Sequence, residues 1–426
     1  FSNLTIDDRK EYEDYLKQGS KSLLSEIPED VRIHRVNAGE PSLDFLQRER
    51  SFGQRNWLSA WIVRVLGGAR RWAYRNLTLP DRRVLWLPFA VKLGWHLIKR
   101  EGIDVIFATC PPHSATLVGV FLKLLTRKPL LLDFRDDWVD TPWHQSMPPF
   151  IREIERRLES WVIKTADKVI LVTEWSRSAF LKRYPDQPSD KFILIPNGCD
   201  LAEFNAGSTK FITAQNPKFT IMHSGSLNDS GNWTRTPKGL FRAMQKILWQ
   251  QPDVAKNISI TFTGSLPEGN KRLVKELGLF GIVKELGFLP RDEWAHGLNT
   301  SDLLLVINYD DFFTLIPGKL YEYWAVGGAP ILLLSCLGAA ADLVEKHKLG
   351  FTVDPYDVDG IQRVILDVYN QWEMGSPVAI STDGVEAFDR KSLTEELAQV
   401  LSRLLSDGFK PIDSPQNHSR RMKTLK

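Results

Sequence analysis

Short apolar runs rich in Val, Ile and Leu alternate along the chain with longer stretches whose apolar positions recur every three to four residues. This is the pattern of βα units laid on a parallel sheet. The runs at 105–108, 130–134, 168–172 and 192–195 predict a first series of strands, with helices over 114–125, 149–164 and 176–184. A second series is predicted at 219–222, 258–262, 282–286, 303–307, 331–334 and 350–353. Between the series, Pro196-Asn197-Gly198 supplies turn chemistry and 205–217 is polar and rich in Gly, Ser and Asn, as a linker is. The economical reading is two doubly wound sheets, one in residues 1–205 and one in 206–385. Further on, Ser392 with Glu395 forms a capping box ahead of apolar residues at helical spacing, which predicts a terminal helix within 386–407. Residues 408–426 are polar and basic and are expected to be a disordered tail.

Composition narrows the choices. Lys and Arg number 55 against 52 Asp and Glu, a net charge of +3, too balanced for a main partner that is nucleic acid. Cys110, Cys199 and Cys336 are far apart and form no CxxC pair, which fits a reducing compartment and argues against a zinc module. The longest apolar stretches, 85–98 and 329–341, fall short of the ~18 residues that a bilayer span needs. Residues 54–100 pack Trp57, Trp61, Trp72, Trp86 and Trp95 among Arg55, Arg64, Arg70, Arg71, Arg75, Arg82 and Arg83. Such a stretch suits peripheral contact with an anionic membrane, and equally suits a helix with aromatics in the core and arginines in water.

The richest chemistry lies in 314–330. Pro317 and Gly318 ahead of a helix leave backbone N–H groups at its first turn that can hold a phosphate, helped by the helix dipole. Lys319 adds mobile positive charge, and Glu322, on the same helical face, can accept hydrogen bonds from the vicinal hydroxyls of a ribose. By spacing alone, the two are equally an exposed ion pair on an ordinary helix.

The run PGKLYEYWAVGGAP at 317–330 resembles the donor-binding helix of the retaining, GT-B-fold, nucleotide-sugar glycosyltransferases of family 4. The pieces DFRDDW (133–138), IPNGCD (195–200), SGSL (224–227), RTPKGL (235–240) and GFLP (287–290) follow in the family's order. The resemblance implies an α/β chain of two Rossmann-like doubly wound domains, with the C-terminal helix crossing back to the first. It implies a nucleotide-diphosphate sugar donor, a UDP-sugar, and a saccharide or lipid-linked saccharide acceptor. The implied setting is polysaccharide assembly in the cytoplasm, at the inner face of a membrane, with no cofactor and no metal. Position by position, it gives Glu322 to the ribose and the amides near Ile316 to Lys319, along the turn of Pro317 and Gly318, to the diphosphate. Arg235 and Lys238 would neutralise the leaving group, Gly225 and Ser226 would let backbone approach the ligand, and Phe288 and Leu289 would frame the base.

The chain departs from the family pattern in three places. Thr314 stands where a first glutamate is common. Arg135, Asp136 and Asp137 occupy the place of a histidine near the acceptor, and with His113 and Asn197 they are the candidates for the acceptor side and the catalytic step. Asp136-Asp137 and Asp310-Asp311 resemble a metal-binding DxD but lack its middle residue. Finally, no glycine-rich strand–loop–helix precedes 1–6, so the first strand and loop of the first domain are expected to be missing, by truncation or by loss. The alternatives are a nucleotide-sugar epimerase of the same fold and a non-catalytic nucleotide-binding or scaffold protein.

Overall fold

The apolar runs become strands close to where the pattern places them: β1 (Ile106–Cys110), β2 (Leu130–Phe134), β3 (Lys168–Leu171), β4 (Phe192–Leu194), β5 (Phe219–Ser224), β6 (Ile258–Thr263), β7 (Val283–Gly287), β8 (Leu303–Ile307), β9 (Ile331–Leu334) and β10 (Gly350–Val353). The structure is a computed structural model, and it describes residues 27–28, 30–36, 78–139, 141–205, 218–227, 235–308 and 312–407. Residues 1–6, the residue-206 boundary, the basic tail, Asp310, Asp311 and most of the basic aromatic stretch (54–77) therefore lie at or outside the limits of the described residues.

Strands run β1-β2-β3-β4 in a four-stranded sheet and β10-β9-β8-β5-β6-β7 in a six-stranded one. Every residue of β2, β8 and β9 is buried, as expected of strands covered on both faces. Strand alternation sorts the six-stranded sheet into two layers. Leu303, Leu305 and Ile307 of β8 join Phe219 and Ile221 of β5 in a core against Leu240, Phe241, Met244 and Ile247 of the Lys238–Gln250 helix and Ile361 and Ile365 of the Val358–Glu373 helix. Leu304, Val306 and Met222 face the other way, onto Trp294 of the Arg291–Asn299 helix and Leu320, Tyr321, Tyr323 and Trp324 of the Gly318–Val326 helix. The period of two along β8 thus fixes which side of the sheet carries the Gly318–Val326 helix.

By internal contacts the chain divides into two compact units, one of 1–36, 135–159 and 171–393 and one of 37–134, 160–170 and 394–426. In the second unit, β1 and β2 are parallel, from Ile106↔Leu130 to Cys110↔Phe134. Its Ser114–Thr126 helix is capped from a distance. Asp81 accepts from Ser114 N at 2.7 Å and Ser114 Oγ at 2.9 Å, and also from Arg83 N at 2.9 Å, so one carboxylate closes two helical starts.

One boundary differs from the expectation. The terminal helix spans Arg390–Asp407, so Ser392 lies inside it. Its start is set by the chain it meets: Arg390 N donates to Cys199 O at 2.9 Å, Cys199 N to Phe388 O at 3.1 Å and Leu201 N to the Asp389 carboxylate at 3.4 Å. Tertiary hydrogen bonds have overridden the local capping box.

Candidate functional site

In the six-stranded sheet β5 lies between β6 and β8, so chain connections leave it in opposite directions. Such a switch point is where open α/β sheets bind ligands, outside the carboxyl ends of the strands. β5 ends at Ser224 and turns through Gly225 at φ +101, a conformation that side chains rarely adopt. Gly225 N donates to Thr263 O at 2.7 Å. After β6, Gly264 turns at φ +130, and a Cβ on it would meet Gly225 C at 2.7 Å. The two turns pack backbone to backbone, with Ser226 exposed at the edge.

Lys319 comes up beneath this turn. Its Nζ donates to Ser224 O and lies 3.4 Å from His223 Nε2, and a Cβ on Gly225 would stand 3.0 Å from it. The charge expected to be mobile is thus held in place. Burial, with the Arg235 guanidinium nearby, pushes the ammonium down to about 7, against the pull of Glu322. His223 is fully buried, and its Nδ1 lies 2.9 Å from Leu305 O. A carbonyl can only accept, so Nδ1 carries the proton and Nε2 presents a lone pair to Lys319. Burial, with Lys319 and Arg235, keeps this imidazole neutral by pushing it well below its usual range. Arg235 thus stands with Lys319 and His223 at the end of β5, whereas Lys238 is exposed at the first position of its helix.

Lys319 and Glu322 do not serve each other as an exposed pair. Glu322 instead has Arg291 Nη1 3.7 Å from its Oε1. Burial raises the Glu322 carboxyl, while Arg291 and then Arg390 pull it back. Ser224 ties this helix to the strand end: its N donates to Tyr323 Oη at 2.8 Å and its Oγ accepts from Trp294 Nε1 at 2.7 Å. At the start of the Gly318–Val326 helix, the amides of Gly318 and Lys319 come before the first hydrogen bond, from Leu320 N to Pro317 O at 2.9 Å, and a Cβ on Gly318 would meet nothing within 4 Å. Ile316 and Leu289 are half-buried against the same apolar cluster as this helix, and Phe288 is half-buried beside Leu289.

The 195–200 segment is brought to the same helix, with Cys199 Sγ 3.6 Å from Tyr321 O. Two residues earlier, Asn197 Oδ1 accepts from Arg135 Nη1 at 3.1 Å, and Pro196 O accepts from the same nitrogen at 3.3 Å. Arg135 and Asn197 thus form one group. Burial, then the neighbouring Asp137, raises the Asp136 carboxyl. Asp137 itself is buried and accepts from Ser176 Oγ at the start of the Glu174–Arg183 helix. Thr314 offers its carbonyl to the Thr173 hydroxyl, which holds the approach to the Gly318–Val326 helix against the end of β3. His113 stands in the other unit, its ring 6.4 Å from that of Phe134, and burial brings it down to about 4 against the pull of Asp81. Among the described residues, no three His, Cys, Asp or Glu side chains converge on a metal-sized site.

Residues 56–203 match the family model described as Glycosyltransferase Family 4. A D-inositol 3-phosphate glycosyltransferase of Corynebacterium kroppenstedtii is 23% identical over 274 residues, 60% of this chain and 57% of the relative. That of Corynebacterium aurimucosum is 22% identical over 282 residues, 63% of each. Over residues 56–203 the chain is thus similar to glycosyltransferase family 4. The chain spans 57% and 63% of the lengths of those two relatives. Its GT-B fold is shared with the sucrose-phosphate synthase of Thermosynechococcus elongatus, at TM-score 0.57 and 17% identity over 77% of this chain and 80% of that one. It is shared too with Anabaena HepE in complex with UDP and glucose, at TM-score 0.52 and 18% identity over 75% and 81%. The sequence motifs single out the Gly225 turn, the Gly318–Val326 helix and Glu322; His223, Arg291 and Trp294, which the structure sets against them, were not among the candidates. Each stands within a few residues of a motif: His223 before Ser224-Gly225, and Arg291 and Trp294 after the GFLP piece.

Proposed function

We propose that the chain transfers a sugar from a nucleotide-diphosphate donor, a UDP-sugar, to a hydroxyl of a saccharide or lipid-linked saccharide, with retention of configuration. The observation that carries this reading is the convergence of the Gly225 turn, Lys319 and Arg235 at the start of the Gly318–Val326 helix, with Glu322 one turn further on. In the reaction the bond from the anomeric carbon to the diphosphate oxygen breaks and a bond to the acceptor oxygen forms. The acceptor's proton passes to the departing diphosphate. Negative charge grows on the leaving group, and fixed cations and helix amides aimed at it lower the barrier without reorganising. Arg135, Asp136 and Asn197 are the groups offered to the acceptor. The neighbours support the chemistry: HepE is in complex with UDP and glucose, and a trehalose-phosphate synthase of Burkholderia xenovorans, TM-score 0.55, with glucose-6-phosphate.

The binding test is calorimetry with UDP. Glu322→Ala is expected to weaken binding about tenfold, the size of a lost hydrogen bond to a charged group, with the thermal transition retained. Unchanged affinity would remove the ribose assignment. The class of reaction is read by incubating UDP-sugars with and without a saccharide acceptor. Transfer is expected to consume donor only with acceptor, whereas interconversion of the donor alone would mean an epimerase.

The reading extends to peripheral membrane contact. Among the described residues, no helix is long and apolar enough to cross a membrane. The Leu87–Glu101 helix exposes Phe89 and Trp95 and carries Lys92, Lys99 and Arg100. Rings and cations on one helix suit an anionic headgroup layer. Co-sedimentation with vesicles containing phosphatidylglycerol is expected, weakened several-fold by Phe89→Ser with Trp95→Ser. Equal binding to neutral vesicles, or none to either, would dismiss it.

A further inference from the structure

We infer that Arg291 is a positioning residue for ribose recognition: it holds the Glu322 carboxylate ionised and oriented, so that the donor site discriminates a ribonucleotide from its 2′-deoxy counterpart. The inference rests on the donor-site reading above and names a device that the reading does not require.

Arg291 opens the helix that follows β7, and its guanidinium is fixed on three sides. Its carbon lies 4.0 Å from the centroid of the Trp294 ring and 5.8 Å from that of Phe204, and its Nη2 is paired with Glu203. Trp294 is itself buried and anchored through Nε1 to Ser224 Oγ at 2.7 Å. The platform under Arg291 is therefore built on the same residue whose carbonyl receives Lys319, and diphosphate grip and ribose grip share one support. With Glu203 and the two rings holding it, Arg291 places Nη1 3.7 Å from Glu322 Oε1. That distance is too long for a strong hydrogen bond, so the carboxylate feels the charge while its lone pairs stay available. A ribose presents two hydroxyl donors, and an ionised carboxylate, which is acceptor-only, can take one on each oxygen.

The charged groups around Glu322 are Arg291, Arg390, Glu203 and Lys319. Burial and Glu203 favour the protonated acid; Arg291 is the strongest of the cations opposing them. Removing it tips the side chain towards the protonated form, one of whose oxygens donates instead of accepting. Arg291 is half-exposed, so its replacement is not expected to unfold the protein.

The test compares UDP with 2′-deoxy-UDP by calorimetry, on wild type, Arg291→Ala and Arg291→Lys, between pH 6 and 8.5. Wild type is expected to prefer UDP about tenfold, the worth of one hydrogen bond to a charged group. Arg291→Ala is expected to bind 2′-deoxy-UDP as wild type does and to lose most of the preference. Part of the preference is expected to return at higher pH, as Glu322 ionises without help. Arg291→Lys, which keeps the charge, is expected to recover most of it at pH 7. A purely structural role would lower both affinities together and leave the ratio and its pH profile unmoved, and that result overturns the proposal. If wild type binds neither ligand, the donor-site reading itself fails. If wild type discriminates and Arg291→Ala does so equally, only the Arg291 role fails.

Discussion

Lys319→Met is expected to lower turnover by about a thousandfold, the upper range for removing one fixed donor from developing negative charge, and to abolish a pH dependence that wild-type donor binding shows. In the ligand-free protein the ammonium sits beneath the Gly225 turn, near Arg235, and titrates at about 7. A diphosphate beside it favours the charged form and raises that value. Below pH 7 the amine is already protonated and affinity is flat in this term. Above pH 7 each bound ligand draws a proton from solvent, so affinity falls by up to about tenfold per pH unit. His223 stays neutral throughout and does not contribute. The phosphate's own ionisation is common to both proteins, so the difference between wild type and Lys319→Met isolates the lysine.

Stability moves the other way. The folded value lies below the ordinary 10.5, so between pH 7 and 10.5 the unfolded chain binds more protons and ligand-free stability rises with pH. Calorimetry in buffers of different ionisation heat, at pH 6 to 9, reads the proton uptake directly. Equal, pH-independent affinities in the two proteins would separate Lys319 from the diphosphate.

What the sequence made legible follows from how local each signal is. Strands β2, β8 and β9 stand where the apolar runs place them, because a strand covered on both faces writes itself as consecutive apolar residues. The Gly225 turn and the Gly318–Val326 helix were legible for a similar reason: glycine at positive φ and Pro-Gly at a helix start are local requirements. The partners of those elements were not. His223 reads as one more residue in an apolar strand, and only the pairing that sets β5 beside β8 brings Leu305 O to its ring. Arg291 reads as a solvated charge until Phe204, Trp294 and Glu203 gather round it. Ser392 looked like a cap because its neighbours fit one, but hydrogen bonds to Cys199 and Leu201 start that helix at Arg390. Local rules placed the elements, and long-range contacts decided which charges are held and which are free.

Gly225→Ala is expected to cost about a hundredfold in donor-dependent turnover, for a steric reason that can be separated from general destabilisation. At φ +101 a side chain is strained, by about 1 to 2 kcal/mol for a typical left-handed residue. The new methyl would also lie 3.0 Å from Lys319 Nζ. The turn cannot retreat, because Gly264 leaves no room behind it: Gly225 C and O already stand 2.7 and 2.9 Å from where a Gly264 Cβ would be. The alanine must therefore displace either the turn, proposed to meet the diphosphate, or the lysine beneath it. Gly264→Ala is expected to reproduce the defect by pressing on the same turn from the other side. Gly318→Ala is the control, since a Cβ there meets nothing within 4 Å and the residue already begins a helix. Its melting temperature is expected to match wild type or exceed it. If Gly225→Ala binds UDP as wild type does while losing stability, the turn shapes the fold without touching the donor. If it loses UDP affinity with Gly264→Ala, while Gly318→Ala folds normally, the close approach of these two backbones is what keeps Lys319 at the ligand.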